Sequence, residues 1–278
     1  MNYINGQDLK QIIKSALKED IGKRDITTQT FTPAKKYVNA VLLAKQDLII
    51  CGLQVASLAF RTLDKNIKFR AKFCDGDFVR RRRVIAHISG KARSILTAER
   101  VALNFLTLLS GISTQTRIFV NAIKPNKSSI LDTRKTIPCF RLLEKYAVRI
   151  GGGFNHRHAL DEMILVKDNH LKVLGGYQGL KSLRKIDKKY QVELEVRNLK
   201  EFRQALKLKP DIIMLDNMGI KDMKQAVKIR HKSHVKLEAS GGIALKNVKK
   251  VASTGVDMIS IGALTHSVKS VDISLEIL

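Results

Sequence analysis

The sequence predicts an α/β protein in two parts. Short apolar runs between residues 38 and 90, set off by Gly52, Gly76 and Gly90, read as a small sheet with one or two helices. From about residue 129, apolar strand-like runs alternate with helix-like stretches, which argues for a parallel sheet, open or closed into a barrel.

Taken in order, residues 7–20 place Leu9, Ile12, Ile13, Ala16 and Leu17 at helical spacing. Strand-like runs follow at 38–44, 48–52, 67–73 and 84–90. Residues 94–123 form a long helical stretch, expected to break near Gly111 and to bridge two domains. Beyond it the strand-like runs are SSILDT, MILVKD, VELEV, DIIMLD, VKLEAS and DMISIG. LKEFRQALKL and GIKDMKQAVKIRHK are helical runs between them.

Bulk properties narrow the function. An apolar share of 44% over 278 residues supports a sizeable core and excludes a disordered chain. The net charge is +26, but the lysines are spread along the whole length and aromatics are only 5%. That favours a cationic pocket for anionic substrates over nucleic-acid binding, and Arg80–Arg83 reads as a solvated turn. Three cysteines without a CxxC pair give no zinc or disulfide framework. His156, His158 and His170 lack metal-ligand spacing. The N-terminus MNYINGQDLKQII has no apolar signal core, and no apolar run approaches the ~20 residues of a membrane span. A cytoplasmic protein with neither membrane nor nucleic acid as partner is expected.

The strand ends carry the chemistry. Lys167, Glu195, Asp216, Ser240 and Gly262 follow successive strand-like runs at intervals of 28, 21, 24 and 22 residues, one βα unit each. In a β/α barrel such residues converge on one rim. Ser240-Gly241-Gly242 and Gly262 offer backbone N–H groups for a phosphate. Glu195 and Asp216 suit Mg²⁺, ribose hydroxyls or an oxocarbenium-like centre, and Glu193 shares the face of Glu195. Arg134, Lys135, His156, Arg157 and Lys167 make a cationic set suited to carboxylates. A substrate with several carboxylates together with a phosphorylated sugar satisfies all three groups.

The segments TAERVALNFLTLLSGIST, DTRKTIPCFRLLEKYAVRIGGGFNHRHALDEMILVKDNH, VELEV, IIMLDN, LEASGGI and GVDMISIGALTHS resemble the quinolinate phosphoribosyltransferase family, and the likeness covers almost the whole chain. The resemblance implies an N-terminal α/β sandwich domain (1–106 with 267–278) and an open seven-stranded α/β barrel (107–266). It implies transfer of phosphoribosyl from phosphoribosyl pyrophosphate to quinolinate with Mg²⁺ and loss of carbon dioxide, in NAD synthesis. It also implies a homodimer or higher oligomer with a shared site. Carried over by residue, substrate binding falls on Thr133, Arg134, Lys135, His156, Arg157 and Lys167, with Arg100 entering from the partner subunit. Lys135, Lys167, Glu195 and Asp216 are the implied catalytic residues, with Glu195 and Asp216 also near Mg²⁺. Ser240, Gly241, Gly242, Ile261, Gly262 and Ala263 are the implied phosphate turns.

The chain departs from the family where Cys139 replaces a loop glycine, where Arg24 stands for a favoured glycine, and near Arg82, where a turn glycine is lost. These changes bear on loop geometry and leave the ligand positions intact.

Overall fold

The computed structural model describes residues 6–180, 189–230 and 233–278. The first five residues of the N-terminal segment, and the His-Lys end of the helical run at 219–232, lie outside them. Contacts divide the chain into two units: Met1–Arg117 with Leu142–Gly152 and Val268–Leu278, and Ile118–Arg141 with Gly153–Ser267.

The first unit opens with α1 (Gly6–Ile21), which buries Leu9, Ile13 and Leu17, the periodic apolar positions. Helix α2 (Ile26–Phe31) starts at Asp25, whose carboxylate accepts the Thr28 N–H at 2.9 Å. The main sheet is antiparallel, in the order β12 (Ile273–Ile277), β1 (Tyr37–Ala44), β5 (Val84–Lys91), β3 (Lys68–Ala71). Strand β1 is central, with Leu42 opposite Leu275 on one side and Ala86 on the other. The C-terminal strand thus returns to the first sheet. The short pair β2 (Leu48–Ile49) and β4 (Phe78–Val79) stands apart, and α3 (Leu53–Leu63) buries Val55, Ala56, Ala59 and Phe60.

Helix α4 (Ala92–Ala122) runs unbroken for 31 residues, so the expected break at Gly111 does not occur. The glycine serves packing instead. A Cβ at Gly111 would stand 2.6 Å from the Lys269 carbonyl and 3.1 Å from Ser270 Cα, and only a bare Cα lets the returning chain lie that close. By length and hydropathy α4 could cross a membrane, contrary to the expectation that no apolar run comes near that length. It is a core helix, burying Ile95, Ala98, Leu106, Leu109 and Ile112. Helix α5 (Arg141–Ile150) joins this unit from Leu142 on: the Ser113 hydroxyl donates to the Ala147 carbonyl at 2.8 Å, and the Tyr146 hydroxyl to Asp75 at 2.7 Å.

The second unit holds six parallel strands: β6 (Ser129–Leu131), β7 (Ile164–Val166), β8 (Val192–Val196), β9 (Ile212–Asp216), β10 (Lys236–Ser240) and β11 (Met258–Ser260). Their order is β6-β11-β10-β9-β8-β7, so the first strand pairs with the last, as in barrel closure. A seventh member is reduced to one bridge, Phe154 beside Leu131, which extends the sheet past β6. Among the described residues no ladder joins that segment to β7, and the barrel is open there. Strands β8 and β9 are nearly continuously buried because parallel sheets are covered on both faces. The cover comes from α7 (Leu199–Lys207), α8 (Ile220–Arg230) and α9 (Leu245–Ala252), which bury Phe202, Met223 and Val248 among others. Short helices α6 (Asp168–Val173) and α10 (Ala263–His266) follow β7 and β11.

Candidate active site

All the parallel strands but β8 deliver their last or next residues to the same end of the second unit, and there they enclose a cavity of about 480 Å³. Thr133, Arg134 and Lys135 reach it from the turn after β6, His156 and Arg157 from the segment after Phe154, and Lys167 from the end of β7. Asp216 closes β9, Ser240–Gly242 follow β10, and Ile261–Ala263 follow β11. The sequence-predicted residues of this unit therefore share one wall, except Glu195. That carboxylate is 7% exposed, opens on a neighbouring depression beside Tyr177 and Arg197, and is tied to the first cavity by Lys167 Nζ at 3.0 Å. Arg100 lies exposed on α4 of the first unit.

The cationic side is built for a carboxylate. The Nε atoms of Arg134 and Arg157 are buried without a hydrogen-bond partner among the described residues, and such donors favour an anion. Arg157 is steered by its NH1 bond to the Met163 carbonyl at 2.9 Å. Burial and the neighbouring Arg134 charge lower its pKa. Lys135 is held by its backbone: its N–H donates to Thr133 Oγ1 at 3.0 Å, and its carbonyl accepts the Thr265 hydroxyl at 2.7 Å.

The same cavity is lined by bare-backbone turns. Gly241 has φ +88° and Gly242 φ +61°, a region L-residues avoid. A Cβ on Gly241 would meet the Asn217 side chain, which donates to Asp216 at 2.9 Å. A Cβ on Gly262 would come within 3.0 Å of the His266 ring and 3.2 Å of Lys135. Both glycines are needed for close approach, and the N–H groups of their turns are those suited to a phosphate.

Below this lies a polar layer largely unread in the sequence. Asp132, fully buried, accepts the N–H of His156 at 2.9 Å and the Asn155 amide. His156 meets Glu193 through Nε2 at 3.0 Å, while its Nδ1 accepts the Arg157 N–H at 2.8 Å. This bonding suits a neutral ring with its proton on Nε2. Glu238 and Ser260 also stand in the cavity wall, together with His266. Glu238 carried one available signal: it sits two residues before Ser240, hence on the same strand face.

Residues 25–110 match the family description "Quinolinate phosphoribosyl transferase, N-terminal domain" and residues 112–276 its C-terminal domain. A probable nicotinate-nucleotide pyrophosphorylase (carboxylating) of Methanocaldococcus jannaschii is 42% identical over 276 residues, covering 96% of each chain. A chloroplastic relative from Arabidopsis thaliana is 40% identical over 97% of this chain and 83% of its own length. The nicotinate-nucleotide pyrophosphorylase structure from Francisella tularensis superposes with a TM-score of 0.94 at 41% identity, over 99% of this chain and 98% of that one. With both domain matches and full-length relatives of this identity, the chain belongs to the quinolinate phosphoribosyltransferase family.

Proposed function

We propose that the protein transfers phosphoribosyl from phosphoribosyl pyrophosphate to the ring nitrogen of quinolinate, with loss of carbon dioxide, giving nicotinate mononucleotide and pyrophosphate for NAD synthesis. The observation that carries this is one cavity lined both by two arginines whose buried Nε donors have no partner among the described residues and by glycine turns. Quinolinate is a dianion, and Arg134, Arg157, Lys135 and Lys167 offset the cost of bringing it to a second anion. Their fixed positions aim the ring nitrogen at the ribose carbon, and Ser240–Gly242 with Ile261–Ala263 hold the sugar phosphate. Positive charge develops at that carbon, and the Asp216 carboxylate in the wall favours it. The alkylated nitrogen is then cationic and accepts the electron pair left as carbon dioxide departs.

Mg²⁺ fits this donor set. Asp216 is a cavity carboxylate with no ion-pair partner among the described residues, and carboxylate oxygen suits a hard cation. Glu195 is already paired to Lys167, so Asp216 is the residue that would hold the ion, with substrate oxygens. When bound, Mg²⁺ supplies charge neutralisation on the departing pyrophosphate.

Arg100, exposed on α4, is assigned to the site of a partner subunit. Arg100→Ala and Lys167→Ala, each inactive alone, then recover part of the activity when mixed as a homodimer; no recovery despite proven subunit exchange refutes the shared site. A cytoplasmic setting is assigned on the three free cysteines, and cell fractionation tests it. The decisive test of function is carbon dioxide release from quinolinate labelled at the C2 carboxylate. Release that requires both phosphoribosyl pyrophosphate and Mg²⁺ is expected. A folded preparation that releases none refutes the reading.

A further inference from the structure

Glu238 is the second acid of the cavity wall besides Asp216, and the function proposed above gives it no role. Its side chain has no exposed surface, and neither carboxyl oxygen has a hydrogen-bond partner among the described residues. It lies just behind the cavity surface on β10. The groups that face it are Glu193 of β8, His156 from before β7, Lys167 from the end of β7, and the Ser260 hydroxyl of β11. His156 Nε2 is 3.8 Å from Glu238 and 3.0 Å from Glu193. An ionised carboxylate in such a place, next to a second one, is strongly disfavoured. Burial first, then the Glu193 charge, push Glu238 up to about 8. At neutral pH it is a neutral carboxylic acid.

The cluster of His156, Glu193 and Glu238 is compact enough for a divalent cation, but the ring argues otherwise. Nδ1 already accepts the Arg157 N–H, so Nε2 carries the ring proton and has no lone pair for a metal. Protonation of Glu238, rather than a metal ion, relieves the repulsion between these carboxylates.

The reaction needs such a proton. When the bond from C2 to its carboxylate breaks, carbon dioxide leaves and the electron pair stays on the ring carbon beside the cationic nitrogen. That carbon must take up H⁺ to give the product. In the quinolinate reading the lysines and arginines of the wall face the anionic groups of the substrates. We propose that Glu238 stores this proton and gives it to the ring carbon after carbon dioxide has left. The C–H bond forms as the Glu238 O–H bond breaks, and the resulting carboxylate regains a proton from solvent when product departs. The inference rests on the quinolinate reading above.

The test compares the unmodified protein with Glu238→Gln and Glu193→Gln, using quinolinate, phosphoribosyl pyrophosphate and Mg²⁺ across neutral and alkaline pH. The unmodified enzyme should lose kcat as pH rises through about 8. Glu238→Gln, similar in size, should lose kcat by about 10²–10⁴-fold, with little change in KM for quinolinate and no alkaline limb. Glu193→Gln removes the like charge and should move the limb to lower pH, a readout that stands even if Glu238→Gln does not fold. In mixed light and heavy water, the deuterium fraction at the product ring carbon should change in Glu238→Gln, because the donor becomes solvent. Unchanged kcat, limb and deuterium fraction in folded Glu238→Gln overturn the proposal. So does one divalent ion per chain that survives dialysis of the unmodified protein and is lost in the variant. No carbon dioxide release from the unmodified protein instead defeats the quinolinate reading itself, a result distinct from failure of the Glu238 role alone.

Discussion

Replacing Gly241 with alanine puts the phosphate turn under a load that can be worked out from its geometry. The backbone there has φ +88°, and an L-residue in left-handed space costs about 1–2 kcal/mol. The new Cβ would stand 2.3 Å from Asn217 Oδ1, so the amide must swing away and release its 2.9 Å bond to Asp216. That bond is exposed, and its loss adds about 1 kcal/mol. The sum is about 2–3 kcal/mol. Gly241 is only half-buried and Gly242 is exposed, so the turn relaxes outward and the cost falls on the site, not on the fold. Weakening by about 30- to 150-fold in kcat/KM for phosphoribosyl pyrophosphate follows. Steady-state kinetics and a thermal melt are the assay, with Gly219→Ala as the control, since nothing lies within 4 Å of a Cβ there. Gly242→Ala, strained but 4.0 Å from Asn217, should lose less. Unchanged kinetics together with an unchanged melt refute the reasoning.

Gly111→Ala pits helix propensity against packing: alanine gains about 1 kcal/mol, while contact with the Lys269 backbone costs about 1–3 and threatens the Val271–Thr107 hydrogen bond. A lower urea midpoint is expected, and a higher one refutes the packing role. Asp25→Ala removes the cap of α2 and its bond to Thr97 and should cost about 1 kcal/mol at neutral pH. The Asp25 carboxyl is lowered by its hydrogen bonds to Thr28, so this contribution is present above the ordinary carboxylate range and lost as pH falls through the folded value. A difference between mutant and parent that persists in strong acid contradicts the assignment. Arg82 holds φ +67° in the turn between β4 and β5, so Arg82→Gly should stabilise by up to about 1 kcal/mol after the entropy of the unfolded chain is counted. A drop in melting temperature counts against strain at that position.

Cys139, like Arg82, has a positive φ, +65°. Both stand at or near positions where the family resemblance implies a glycine, and there the left-handed backbone is kept without the residue that adopts it most easily. The strand runs of the second unit were legible because parallel strands, buried on both faces, show as short mainly apolar runs with turn residues after them. The same rule hid Glu238 and Ser260, which read as strand interior when the sequence alone is in view. Gly111 misled for a related reason: glycine is a helix breaker only where nothing rewards its missing Cβ, and the reward here is a chain segment about 158 residues away.

The sequence by itself determined the α/β class, the residues that end each strand, and the chemistry of the three groups on the rim, because local periodicity and residue type are properties of short stretches. Only the tertiary structure decided which strand neighbours which. It alone paired β6 with β11, left Phe154 as a lone bridge, and bound Glu195 to Lys167 while leaving Asp216 in the cavity wall. It alone set Glu193, Glu238 and His156 together. Distances between residues far apart in sequence, and the loss of water that raises a buried acid, come into being only when the chain has folded.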